Sequence, residues 1–341
     1  MNVFVIGGTR FMGPHVIRIL HAQGHRVMVY HRGESRTRLP EGVEHIHADR
    51  SRIGEHVSEI GRFAPDVVLD MILLTEAEAV RTVNALSGRT DRYVVVSSVD
   101  VYRNMDLLRM KDEGPVVAGR LTEDSPLRRN YYPYRADVRD KSDRMYDYDK
   151  ILVERVVTGQ DRLSWTVLRL PMVYGPSDRQ HRLFDYLKRM DDRRPFILLD
   201  ERQVRARWIR GYVENVAQGI VLAVTDDRAT GRVYNVGEPE ALTERDWIKA
   251  IGRAAGWNGE IVGVPEEHLP RHLKQPLDYR HHLDADSSRI RQELGYTEPI
   301  DRAEALCRTV EWERVSPPDA IKEEDFDYRA EDAAYLMSRM G

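Results

Sequence analysis

Short runs of aliphatic and β-branched residues recur through the first half of the chain, at 2–6, 26–30, 43–48, 66–70, 92–97 and 165–170. Several are nearly continuous in valine, as in Val67-Val68-Leu69 and Val94-Val95-Val96. That is the pattern of strands covered on both faces. Between them the spacing changes to three and four, as in Val16-Ile17-x-Ile19-Leu20 and across 75–86, which predicts amphipathic helices. Strand–helix alternation of this kind predicts right-handed crossovers and therefore an α/β fold built on a doubly wound parallel sheet.

Beyond about residue 175 the pattern becomes less regular and richer in charge, with helices expected at 181–190, 213–225, 243–256 and 301–313. The expected organisation is a first domain over 1–175, rejoined by 205–238, and a smaller interleaved lobe made of 176–204 and 239–315. Residues 316–341 follow Pro317-Pro318 as an acidic C-terminal tail containing Glu323-Glu324-Asp325, which is read as a docking or solvated extension. The stretch 103–143 has no sustained period and is expected to be a long loop or lid.

Composition narrows the function. Lys+Arg 52 against Asp+Glu 56 leaves a net charge of −4, which argues against a protein that chiefly coats nucleic acid. A mean hydropathy of −0.55 and the lack of a long apolar run argue against a membrane span. Only seven of the basic residues are lysine, so a motif that requires lysine carries weight. The single cysteine, Cys307, leaves no disulfide and no cysteine-rich metal or iron–sulfur centre. With a first strand that starts at once and no signal-peptide pattern, a cytoplasmic protein is expected. His45 and His47 alternate on an expected strand and His281-His282 lie in a charged loop; no metal site is expected from them.

The first strand runs into Gly7-Gly8-Thr9-Arg10-Phe11-Met12-Gly13 and then a helix. Glycines here allow a tight turn and close approach of a pyrophosphate to a helix N-terminus, although Arg10 replaces the usual middle glycine. The position after the second strand, where an acid binds the ribose of NAD, holds His31-Arg32 instead. Arg10 and Arg32 without a carboxylate suit a 2′-phosphate, so NADP(H) is expected over NAD(H). Asp49, ending the third strand, is placed to accept a hydrogen bond from the adenine amine. Tyr146 and Lys150 are spaced i, i+4, one face of a helix. An ammonium there lowers a phenol pKa that is otherwise about 10, so Tyr146 becomes a candidate acid/base. Ser98 ends the fifth strand, at the sheet edge where ligands bind; Ser97 is expected to cap the strand and Ser98 to face the substrate.

Ser98-Val99-Asp100-Val101-Tyr102, then Tyr146-x-x-x-Lys150-x-x-x-Glu154 and Leu168-Arg169-Leu170-Pro171-Met172-Val173-Tyr174-Gly175-Pro176 resemble the extended short-chain dehydrogenase/reductases, the NAD-dependent epimerase/dehydratase group. Tyr212-Val213-Glu214-Asn215, Tyr234-Asn235-Val236-Gly237 and Asp286-Ser287-Ser288-Arg289-Ile290 agree in order. The Gly-Gly-Thr-Arg-Phe-Met-Gly turn is similar to that of an atypical subgroup that includes chloroplast stem-loop RNA-binding proteins. The resemblance implies a Rossmann domain with a substrate lobe. It also implies Ser98, Tyr146 and Lys150 as catalytic residues, with Lys150 also holding the cofactor ribose, and a homodimer through helices 75–88 and 144–158. Asp100 stands where sugar dehydratases carry an acid, and Arg207, with Arg205 and Arg210, lies near where sugar-nucleotide members bind a diphosphate. Asp70-Met71-Ile72 replaces small alanines and is expected to reshape the nicotinamide side. The function implied is an NAD(P)-dependent oxidoreductase, epimerase or dehydratase acting at a carbinol or carbonyl carbon. The alternative is a non-catalytic RNA-associated or cofactor-sensing protein, to which Arg128-Arg129 and the arginines at 205–210 would contribute.

Overall fold

A computed structural model describes residues 1–340. The valine-rich runs become β1 (Asn2–Ile6), followed by α1 (Met12–Ala22), β2 (Arg26–His31) and β3 (Glu44–His47). Next come α2 (Val57–Phe63), β4 (Val67–Asp70), α3 (Glu76–Leu86) and β5 (Arg92–Ser98), then α4 (Arg103–Leu108), α5 (Lys150–Thr158) and β6 (Ser164–Leu170). The second half carries β7 (Met172–Tyr174), α6 (Phe184–Asp191), β8 (Phe196–Asp200), β9 (Arg210–Tyr212), α7 (Val213–Thr225) and β10 (Arg232–Asn235). It ends with α8 (Glu244–Ala255), β11 (Glu260–Val264), α9 (Ser288–Leu294), α10 (Arg302–Val315) and α11 (Tyr328–Met340).

Seven strands form one sheet in the order β10-β6-β5-β4-β1-β2-β3, every pairing parallel. This is the doubly wound arrangement the alternation predicts, with its reversal of strand order at β1 and β4. One face packs Val3, Val5, Val29 and Leu69 against Val16, Ile17 and Leu20 of α1 and Val216 and Ile220 of α7. The other packs Phe4, Val68 and Val95 against Ile60 of α2, Val83 of α3 and Val153 of α5. Each such side chain is fully or almost fully buried, worth about 1.5–3 kcal/mol of transfer energy apiece.

α5 differs from expectation. It starts at Lys150 and not near 144, because Asp149 takes an extended backbone and its carboxylate accepts from the amides of Ile151 and Leu152 as an N-cap. Tyr146 therefore lies in the turn before the helix, and no shared helical face with Lys150 exists in this conformation. The segment 103–143 is irregular apart from α4 and short turns.

The lobe beyond β6 holds two small parallel pairs, β7 with β9 and β8 with β11. The acidic tail docks on it. Glu331 is fully buried, accepting from Arg189 at 2.7 Å and facing His272 at 3.0 Å, and Tyr335 stacks on Phe196 with centroids 4.0 Å apart. Asn235 at the end of β10 joins the parts: its amide N–H donates to Glu123, its side-chain oxygen accepts from the Tyr102 hydroxyl, and its Nδ2 donates to the carbonyls of Leu121 and Asp286.

Candidate active site

A cavity of about 530 Å³ opens at the C-terminal edge of β1, β2 and β4, bounded by Gly8, Arg10, Arg32, Asp49, Met71 and Ile72. Its floor is the glycine turn. Gly7 and Gly8 have φ of 89° and 81°, the left-handed region open to glycine. A Cβ on Gly13 would stand 2.2 Å from the backbone of Gly8, so α1 is pressed onto the turn as a phosphate cradle requires. Gly7, Gly8, Thr9, Arg10 and Met12 line the cavity, whereas Phe11 and Gly13 support it from behind. These residues fit a dinucleotide with its pyrophosphate at the α1 N-terminus.

Asp49 borders the cavity, exposed, with one carboxylate oxygen accepting from the Ser51 amide at 2.9 Å. The Ser51 hydroxyl and amide, with the neighbouring Arg32, hold its pKa below the usual carboxylate range. Asp70 turns away from the cavity: Arg50 grips it at 3.1 and 2.7 Å and the Tyr93 hydroxyl donates to it at 2.8 Å. Only Met71 and Ile72 of that trio reshape the cavity wall. The expectation of two guanidiniums without a carboxylate is corrected. Glu34, three residues past β2, lies 2.8 Å from Arg32 and 3.8 Å from Arg10, all three about half exposed. Its position in a loop gives no periodic signal, which is why sequence spacing passes over it.

Beside this cavity β5 ends in Ser97-Ser98. Ser97 does not cap the strand end as expected, and the cap is made by Ser98. Ser97 is buried and donates to Glu154, which also holds Arg169 at 2.8 Å. Ser98 is half-buried and accepts the Asp100 amide at 3.1 Å, capping a short 3₁₀ turn while its own hydroxyl proton stays available to donate. Lys150 is buried, its ammonium donating to the carbonyl of Leu73 at 2.5 Å and of Val96 at 2.8 Å. Burial, partly countered by Asp100 and Asp70, pulls its pKa down to about 8.

Two tyrosines flank the lysine in sequence and differ in state. Tyr148, which sequence reasoning passed over, is buried and donates to Asp100 Oδ2 at 2.7 Å; burial and that carboxylate push its pKa up. Tyr146 is half-buried in the preceding turn, with the Arg135 guanidinium over its ring at 4.8 Å. Among the described residues no hydrogen bond engages its hydroxyl. Asp100 is itself buried, and burial raises its pKa above the usual range; its Oδ1 has no hydrogen-bond partner. Arg144, from the same turn as Tyr146, reaches over the cavity rim to Glu78 at 2.7 Å.

The second lobe holds another cavity of about 530 Å³, lined among others by Tyr174, Arg182, Trp208, Arg210, Trp247 and Asp325. Arg210 is paired with Glu244 at 2.6 Å and Arg182 with Asp178 at 2.7 Å. Arg207 is not on this wall; it is exposed and donates to the Ala241 carbonyl at 2.7 Å. Arg128 is buried and bonded to the carbonyls of Asp100 and Asn130, so neither it nor Arg210 belongs to a basic surface patch.

A profile of the NAD dependent epimerase/dehydratase family matches residues 3–237. A 2′-dehydrokanamycin reductase of Streptomyces kanamyceticus is 27% identical over 285 residues, covering 80% of this chain and 72% of its own. The chloroplast stem-loop binding protein of 41 kDa b from Arabidopsis thaliana is 23% identical over 320 residues, 89% of this chain and 77% of its own. A UDP-glucose 4-epimerase of Thermotoga maritima, solved with UDP-glucose, superposes with a TM-score of 0.66 at 18% identity, over 93% of this chain and 99% of that one. No helix among the described residues is long and apolar enough to cross a membrane.

Proposed function

Because the chain belongs to the NAD-dependent epimerase/dehydratase family, we propose that it oxidises, reduces or epimerises a carbinol or carbonyl carbon of a small, sugar-nucleotide-like substrate, with Tyr146 as the acid/base and NADP(H) preferred over NAD(H). The observation that carries this is Lys150. A buried ammonium without a close carboxylate partner is costly to the fold, yet here it is fixed between the strand that presents Ser98 and the Leu73 loop beside the dinucleotide cavity. A perturbed lysine in such a place suits chemistry better than stability.

A nicotinamide dinucleotide would be held by Gly7, Gly8, Thr9, Arg10 and Met12 and would supply hydride-transfer chemistry. The Ser98 hydroxyl donates to the reacting oxygen and orients it. Tyr146 moves the proton of that oxygen, its phenolate favoured by the Lys150 charge. Tyr148 is poorly suited to the task, since its proton is held by the Asp100 carboxylate. Tyr146 reaches the site when the turn carrying it packs over Lys150. That turn is already coiled, with Tyr146 N–H donating to the Asp143 carbonyl at 2.9 Å and Tyr148 N–H to Met145 at 3.4 Å. Arg10 and Arg32 take the 2′-phosphate in place of Glu34. Asp100 and Arg207 are the proposed substrate contacts, and α3 and α5, with Val80 exposed on α3, the proposed dimer surface. The relative that reduces 2′-dehydrokanamycin and the neighbour solved with UDP-glucose support a glycosidic substrate.

The test is turnover of a panel of nucleotide sugars and ketosugars by Tyr146→Phe and Tyr148→Phe. Tyr146→Phe should abolish turnover and leave NADPH binding within about twofold, whereas Tyr148→Phe should remain active. The opposite pattern would move the proton transfer to the Tyr148–Asp100 pair.

A further inference from the structure

Strands β2 and β3 pair in parallel with His31 directly opposite His47. His45 precedes His47 by two residues on the same strand, so the pleat turns both to one face. Register and alternation together gather three imidazoles on that face at the open edge of the sheet. Ring centroids lie 5.1 Å apart for His31 and His45, 4.6 Å for His31 and His47, and 5.7 Å for His45 and His47. One nitrogen from each falls within 4.8 Å of the other two. We propose that His31, His45 and His47 form a binding site for a divalent transition-metal ion of the zinc, cobalt, nickel or copper class, with its remaining coordination positions open to solvent.

The chemistry favours this class. Imidazole suits these ions, and three of them with an open position make a complete protein share of a four-coordinate site. Metal–nitrogen bonds of roughly 2.0–2.1 Å put ligand nitrogens about 3.3 Å apart in a tetrahedral array. His31 Nε2 and His45 Nδ1 already stand at 2.9 Å, and the third ring has only to turn inward. His45 and His47 are exposed, and among the described residues no hydrogen bond or ion pair engages the His47 side chain, so the turn breaks no polar contact and only shifts its stacking on His45. His31 is neutral at physiological pH, since burial and the two neighbouring rings push its pKa down to about 4. Binding through Nε2 requires the His31 tautomer protonated on Nδ1, so the proton now between His31 and His45 moves to Nδ1 and the 3.2 Å bond accepted there from the Gly33 amide is given up. His31 also borders the dinucleotide cavity, so the ion would sit just behind the Arg32 loop.

The experiment is a cobalt(II) titration of the full, tag-free chain, read by calorimetry and by visible absorption. One equivalent should bind with the intense band of a four-coordinate ion, and zinc should displace it. His45→Asn and His47→Asn, both on an exposed strand edge, should each weaken binding at least about tenfold, while the exposed His268→Asn leaves it unchanged. No stoichiometric binding, or equal affinity in the His45→Asn and His47→Asn variants, would overturn the assignment. Thermal melts of each variant separate loss of ligand from loss of fold.

Discussion

Replacing Glu34 with glutamine removes the carboxylate that now neutralises Arg10 and Arg32. In the native chain a 2′-phosphate has to take those guanidiniums from Glu34 and then lie near its displaced negative charge. Arg32 is 2.8 Å and Arg10 3.8 Å from the carboxylate, with both partners about half exposed. A phosphate bound to the same two groups therefore comes within roughly 5 Å of Glu34. At the high effective dielectric of an exposed site the repulsion between one carboxylate and a doubly charged phosphate at that distance is about 2 kcal/mol. Physiological salt, with a screening length of about 8 Å, reduces it to about 1 kcal/mol. Glu34→Gln should accordingly tighten NADPH by about five- to tenfold. NADH, which lacks the 2′-phosphate, should be unchanged or weakened by loss of an acceptor for its ribose hydroxyls. Fluorescence titration of both nucleotides against both proteins, at low and high salt, measures the ratio directly. The gain should shrink as salt rises. A ratio that stays constant, or moves towards NADH, would refute a phosphate at Arg10 and Arg32.

Two further outcomes follow from the buried charges. A lysine whose pKa in the folded protein is lowered to about 8 is cationic below that pH and loses its charge as pH rises through it, so kcat/KM should fall above about pH 8. Lys150→Arg, which keeps its charge far beyond that range, should turn over more slowly yet lose that falling limb; a limb still at pH 8 would assign it to another group. In the tail, Arg189→Met leaves the Glu331 carboxylate buried with only His272 facing it, and should cost about 3–5 kcal/mol in denaturant melts. Arg189→Met with Glu331→Leu should recover most of that loss, and a double variant as unstable as the single would show that packing of α11 on the lobe, and not the charge, is what the pair protects.

The central sheet is legible in the chain because parallel strands buried on both faces announce themselves as valine-rich runs, and six of its seven strands lie where those runs do. β10 is short and follows a long excursion through the second lobe, so no local pattern ties it to β6. The coil at Tyr146 is misread for a definite reason. Tyr-x-x-x-Lys has helical spacing, but Asp149, two residues before the apolar Ile151-Leu152-Val153, is itself an N-cap signal, and the cap prevails. Glu34, and the grouping of His31 with His45 and His47, are missed because they are set by tertiary neighbours. His45 and His47 show their common face in sequence, whereas the third ring joins them only through the register of a neighbouring strand. The paired states of Arg128 and Arg210 are likewise invisible to composition, which counts charge and not its neutralisation.

The bonds from Asn235 to residues at both ends of the Tyr102–Glu123 stretch have a mechanical meaning. They nail the root of the covering loop to the last strand of the sheet. Arg128 and Asn130 fasten it again, to Asp100 and Asp106, and Asp149 anchors the far side as the cap of α5. Between these anchors runs the strip 131–147, which carries Tyr146 and Arg144 and is itself tied through Tyr132 to Asp149, Pro133 to Lys111 and Arg144 to Glu78. The covering segment is thus a strap fastened at both ends to the sheet and to α5. On the proposed function, breaking the Arg144–Glu78 pair at the cavity rim would shift the rim and Tyr146 together, so that opening the cleft and displacing the acid/base would be one event.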